Sequence, residues 1–204
     1  MSILQQPHLN ETVYDYQLVI LPPESVRNRL DGIRKKLTAQ MLPLGKWELG
    51  KNHLPMASFS QFARLEGKLS EHLSLTFSQQ APFRLHLENY GALPHHTIYF
   101  RIAESDSFQS LLTLMHQHAY ALKVFNQEPR IASLPKINVV YRLGPPDFEQ
   151  AWHYFRNKQF HQPFIAEGML LLRRRPWETR WQILKHLAFE NQLVTSNQAA
   201  LFPS

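Results

Sequence analysis

Aromatic and aliphatic residues crowd Val13 to Leu21 (VYDYQLVIL), a density that predicts a buried strand. Pro22-Pro23 ends it and suits the first turn of a helix. Val26, Leu30, Ile33, Leu37 and Met41 then recur at helical spacing as one apolar stripe, which Pro43 and Gly45 close. Ser60 is a candidate cap for a second helix with Phe62, Leu65, Leu69 and Leu73 inward. Phe83 to Leu87 (FRLHL) alternates as a half-buried strand does, Asn89 to Pro94 reads as a turn or bulge, and Thr97 to Ile102 is a further strand.

A similar order follows. Ser105 or Ser107 is placed to cap a helix with Phe108, Leu111, Leu112, Met115, Ala119 and Leu122 inward. A loop at 126–133 leads to a strand over 136–143. Pro145-Pro146-Asp147 opens a helix burying Phe148, Ala151, Trp152 and Phe155. Strands are expected at 160–164, 168–173 and 181–189. The pattern predicts an α+β chain of two pseudo-repeated lobes, about 13–104 and 105–189, packed as one bilobal domain. Residues 1–12 and 190–204 read as loose tails.

Composition narrows the chemistry. Hydrophobic residues make up 44% of the 204, enough for a full core. With no cysteine, disulfides, thiolate metal sites and a cysteine nucleophile are excluded, which suits a reducing compartment. No apolar run nears the roughly 20 residues that span a bilayer, and the N-terminus lacks the layout of a signal peptide, so a cytoplasmic protein with no membrane partner is expected. The net charge of +6 favours a phosphorylated or polyanionic partner. Its cations cluster on the first helix (Arg27, Arg29, Arg34, Lys35 and Lys36 against Asp31), where a solvated face is the simpler reading, and at Arg173-Arg174-Arg175. Trp177 and Trp181 interleave with the second cluster as stacking platforms do, although a solvated hairpin turn also accounts for it.

Two stretches share a layout: Lys51 to Phe59 (KNHLPMASF) and Leu134 to Arg142 (LPKINVVYR). Each has a helix-breaking lead-in, a cationic or cationisable residue, an aliphatic, a small polar or cyclic residue, then aliphatics. They read as two copies of one altered motif. Suppose each strand presented a histidine and a hydroxyl two residues apart, so that both side chains point the same way. Two such strands across a cleft flank one phosphodiester. One histidine takes a proton from the attacking group and the other gives one to the leaving oxygen, since an unperturbed pKa of about 6.5 suits both roles. The hydroxyls donate to the charged phosphoryl oxygens, and neither metal nor cofactor is needed.

This layout resembles the two-histidine phosphoesterase superfamily, within it the 2′-5′ RNA ligase-like and cyclic phosphodiesterase-like proteins, over roughly residues 14–189. The resemblance rests on Tyr14 to Ile20, on His53 with Ser58-Phe59, on Tyr90 to Tyr99 (YGALPHHTIY), on Pro135 to Asn138 and on Phe164 to Leu172. It implies antiparallel sheets facing a central cleft, metal-independent phosphodiester chemistry, and a phosphorylated small molecule or an RNA end as ligand. It also marks what has changed. His53 stands where the first histidine belongs, but Pro55 replaces the first hydroxyl, Lys136 the second histidine and Asn138 the second hydroxyl. Proline offers neither hydroxyl nor N–H. A lysine with a reference pKa of about 10.4 pairs with phosphate but shuttles protons poorly near neutrality unless burial lowers that value.

The expectation is a protein of this fold that has lost the standard catalysis and binds a phosphorylated ligand through Lys136, Asn138 and His53, with Tyr99 and Tyr141 as stacking candidates. The alternatives are an active phosphodiesterase or ligase, with His53 catalytic and a replacement acid, or a structural role with an empty cleft. A metal site from His53, His95 and His96 is disfavoured because no acidic ligand lies near them in sequence, and His116 and His118 face different ways on a helix.

Overall fold

The structure, a computed structural model, describes residues 12–40, 46–124 and 127–192. Met41, Pro43, Gly45 and most of both expected tails lie outside the described residues. The first strand is β1 (Val13–Ile20), followed by α1 (Glu24–Gln40), β2 (Glu48–Leu49), β3 (Leu54–Phe62), α2 (Glu66–Ser78), β4 (Phe83–Leu93) and β5 (Thr97–Ile102). Then come α3 (Asp106–Gln117), β6 (Arg130–Ile131), β7 (Lys136–Tyr141), α4 (Pro145–Phe155), β8 (His161–Ala166), β9 (Gly168–Arg174) and β10 (Gln182–Ala188). Ser105 caps α3, accepting a hydrogen bond from the Phe108 backbone N–H at 3.3 Å. Among the described residues no helix is long and apolar enough to cross a membrane.

The strands form two five-stranded antiparallel sheets, ordered β10-β9-β1-β3-β6 and β2-β7-β5-β4-β8. Both sheets draw strands from either side of residue 104: β1 and β3 pair into one sheet with β6, β9 and β10, while β2, β4 and β5 join β7 and β8. The sheets therefore interleave the two sequence halves. Alternation builds the core. Tyr16, Leu18 and Ile20 of β1, Leu85 and Leu87 of β4, and Ile137 and Val139 of β7 are all fully buried. Each such side chain contributes about 1.5–3 kcal/mol relative to exposure. The opposite faces of β1 and β7 carry Asp15, Gln17, Lys136 and Asn138, all half-buried.

Five local expectations need correction. The helix expected to reach Leu122 ends at Gln117, and Ala119–Leu122 form a 3₁₀ turn. Ser60 caps no helix: β3 runs on to Phe62, a 3₁₀ turn covers Ala63–Leu65, and α2 begins at Glu66. β4 does not stop at Leu87 but continues to Leu93 through a bulge, where the register against β5 shifts between Leu87 and Tyr90 and Asn89 takes φ 57°. Arg34 is not on a solvated face; it is 2% exposed. Finally, residues 190–192 are not loose. Glu190 and Gln192 donate backbone hydrogen bonds to the Ser78 carbonyl and Asn191 to that of Gln80, tying the chain to the end of α2.

Candidate functional site

Strands β3 and β7, one from each sheet and each next to a two-residue edge strand, bring the two motif stretches together. His53 sits in the bend just before β3, and Pro55 is the second residue of that strand. Lys136 and Asn138 are the first and third residues of β7, so the two-residue period points both away from the core residue Ile137 between them. His53, Pro55, Lys136 and Asn138 line one cavity of about 260 Å³. Tyr141, Gln17 of β1, Lys51, Arg174 of β9 and Trp181 complete its wall. No aspartate or glutamate is among the described residues that line it, so three cationic side chains face the same small volume.

Arg34 holds this construction from behind. From α1 it donates to the Asn138 carbonyl at 2.7 Å, to the Lys51 carbonyl at 3.2 Å, and to the side-chain oxygens of Asp31 at 3.2 Å and of Asn52. Asn52 in turn donates to Asp31 at 2.6 Å. One guanidinium thus pins the lead-in of the first motif and the backbone of the second, using the fork geometry in which arginine donors are fixed. Burial lowers its pKa from the ordinary guanidinium value, and Asp31 opposes that shift. Gly50 completes the junction. Its N–H donates to the Val139 carbonyl at 2.9 Å, and a Cβ there would stand 1.7 Å from the Asn138 carbonyl oxygen, so no other residue fits.

The cavity is electrostatically lopsided. Burial, then the charges of Lys51 and Arg34, push the His53 imidazole down to about 4, leaving it neutral near pH 7. Lys136 is also lowered from the usual ammonium range, by burial. Its Nζ lies 5.0 Å from the centre of the Tyr99 ring. Tyr99 itself is 9% exposed and lies under Lys136 rather than in the cavity wall. It packs so closely on Gly91 that a Cβ there would meet the ring at 2.5 Å. The Tyr141 hydroxyl donates to the Glu48 carboxylate, which raises its pKa.

Arg174 is the residue that isolated motifs did not single out. It donates to Asp15 at 3.3 Å and lies 4.6 Å over the Trp181 ring. Both residues were legible only as a basic and aromatic turn; the pairing of β9 with β1 puts Arg174 opposite Asp15 and so at the cavity. A larger hollow of about 520 Å³ shares Arg174 and Trp181 as a wall and adds Ser58, Ser60 and Arg130. Another, of about 350 Å³, shares Gln17, Pro55, Lys136 and Asn138. Together they make one trough along the strand faces.

Solved structures share this architecture. Escherichia coli LigT in complex with 3′-AMP superposes with a TM-score of 0.62 at 17% identity, covering 87% of this chain and 98% of its own. LigT with NADP+ gives 0.60 at 18%, over 87% and 99%. A protein described as a phosphoesterase gives 0.60 at 18%, over 88% and 99%. The chain has the LigT-like fold. No protein-family model matches the chain, and no curated protein does. At this identity the likeness establishes the LigT-like fold alone. The cavity of this chain presents His53, Pro55, Lys136 and Asn138.

Proposed function

We propose that this protein binds a phosphorylated ligand, a nucleotide or an RNA end, in the cleft between β3 and β7, and has lost the standard two-histidine catalysis of its fold. The observation that carries this reading is the set of Lys51, Lys136 and Arg174 around one cavity whose described lining holds no carboxylate. Such a site attracts a phosphate, and charge-assisted hydrogen bonds there are the strong ones. Lys136 and the Asn138 amide supply donors, and the adjoining hollow beside Trp181 leaves room for a base or a second nucleotide. LigT, crystallised with 3′-AMP, ATP, NADP+ and phosphate, supports this class of ligand by its fold.

The loss of catalysis follows from the same side chains. A general base works best with a pKa near the working pH, and His53 is held at about 4. Its counterpart is an ammonium. Pro55 presents no donor to the phosphoryl oxygens. Losing an acid or base typically costs ~10²–10⁴ in rate, and losing a charge-stabilising donor ~10²–10³ more. The decisive test adds 3′-AMP, then a 2′,3′-cyclic nucleotide and a 2′-5′ dinucleotide, to the protein while phosphorus NMR follows binding and product together. Saturable binding with no product is expected. Product that disappears in His53→Ala would overturn the loss of catalysis and make Lys136 the acid; no shift with any of the three would overturn the binding reading.

A further inference from the structure

The sheet that carries Lys136 holds a second group of side chains, away from the cleft. On β4, His86 and Glu88 are two residues apart and point out of the same face, because Leu85 and Leu87 are fully buried on the other. β8 is the edge strand beside it, and its His161 pairs directly with Glu88. The His161 Nδ1 stands 3.6 Å from a Glu88 carboxylate oxygen, and the His86 and His161 ring centres are 5.6 Å apart. One ligand atom from each of the three residues lies within 4.8 Å of the other two.

We infer that His86, Glu88 and His161 form a binding site for a divalent first-row transition-metal cation, zinc foremost. Two imidazoles and one carboxylate are a donor set that zinc takes readily, at about 2.0–2.2 Å to each atom. A cross-strand ion pair between Glu88 and His161 alone needs no second imidazole. His86 is what turns a pair into three convergent donors. The strand geometry favours it as well: neighbours two apart on a strand lie ~6.6 Å from one another, and the side chain facing them from the next strand, ~5 Å away, closes the triangle.

The backbone around the three donors is fixed. The His86 carbonyl accepts from the Ala103 N–H at 2.9 Å. Arg29 of α1 donates to the His161 carbonyl at 3.3 Å, and Arg101 donates to the Glu88 carbonyl at 3.4 Å. The nearby guanidiniums thus bond main-chain oxygens of the triad and leave the Glu88 carboxylate to the histidine. With the His161 side chain 61% exposed and that of Glu88 46%, a hydrated ion reaches the site directly, and three protein ligands leave a coordination position to water or to an anionic oxygen. β4 is two strands from β7 in the sheet order, so this site is distinct from the cleft.

The test is titration of the metal-free protein with zinc chloride by calorimetry, with cobalt(II) absorption as a second reading of coordination. One equivalent should bind in wild type. His86→Ala and His161→Ala should each weaken binding by more than the roughly 10–100-fold that losing an outer-shell partner costs. Glu88→Gln should weaken it while the melting temperature without metal stays near wild type, which separates ligation from folding. His118→Ala, in a histidine pair elsewhere, should leave the affinity unchanged. Failure of wild type to bind one equivalent, or undiminished binding in the His86→Ala and His161→Ala proteins, overturns the site. Because 3′-AMP binding is read separately, failure of this site leaves the cleft reading standing.

Discussion

The bend before β3 and the start of β7 are built alike and behave differently. Both place a nitrogen base at a strand entrance, with the next outward residue two positions on. His53 is crowded by Lys51 and Arg34 and driven neutral, while Lys136 keeps an ammonium over the face of Tyr99. The same positive charges that lower the His53 pKa would favour an anion in the cavity they share with Lys136. On the reading proposed above, the cleft is suited to holding charge rather than to moving protons. Position in the fold sets where a side chain points; the neighbours decide what its proton does.

Arg34 joins the two segments, so removing it should have the largest effect. Arg34→Ala takes their donor from the carbonyls of Lys51 and Asn138 and from the Asn52 side-chain oxygen, and leaves Asp31 only its bond from Asn52; each lost hydrogen bond to a charged group costs about 1.5–3 kcal/mol. Urea unfolding should show that loss, whereas Lys136→Ala should leave the unfolding midpoint close to wild type. If both variants unfold alike, the two segments are not joined through Arg34.

Lys136→Ala should instead appear in binding. A hydrogen bond to a charged group contributes roughly 1.5–3 kcal/mol, so affinity for 3′-AMP should fall about 10–100-fold. His53→Ala, which removes a neutral ring, should weaken it less; the reverse order would mean the cavity is read from the β3 side. Trp181→Ala separates base from phosphate. Stacking contributes ~1–3 kcal/mol per base, so 3′-AMP should lose affinity while inorganic phosphate does not. Equal losses for both would assign Trp181 to positioning Arg174.

A further effect is on pH dependence. The unfolded chain protonates His53 near 6.5 and the folded chain only at about 4, so the unfolded state binds more protons between those values. Stability from this group is complete above pH 6.5 and falls on acidification to about pH 4, at no more than about 1.4 kcal/mol per pH unit. His53→Gln should flatten that limb. Bound phosphate should raise the His53 pKa by NMR, since an anion offsets Lys51 and Arg34. An unshifted value would place the anion elsewhere.

Much of the architecture was readable before the structure. β1, α1, α4 and β7 to β10 fall where apolar spacing and proline boundaries put them, within a few residues, and α3 starts where Ser105 puts it but stops at Gln117. The misses have physical causes. β2 and β6 are two residues each, too short to show any period, and exist only because β7 and β3 offer them partners. Ser60 resembles a cap because a cap and a strand residue use the same hydroxyl; here it donates to Asp15 on β1 at 3.2 Å. At the site, His53, Lys136, Asn138 and Tyr141 share one cavity, whereas Tyr99 supports it from below. Arg34 and Arg174 lie outside the motif stretches, and their roles, like those of Lys51 and Gln17, arise from contacts across long stretches of chain.

The sequence alone determined what depends on short spacing: which residues alternate, where most helices begin and end, and that His53 with Pro55 and Lys136 with Asn138 each stand two residues apart. Only the tertiary structure decided which strands are neighbours. That pairing interleaved the halves in both sheets, aimed Arg174 at the cleft, buried Arg34 behind both motifs, and set His161 beside His86 and Glu88. The reason is physical. Periodicity is a property of a few consecutive residues, whereas burial, charge proximity and ligand convergence are properties of segments brought together by the closure of the sheets.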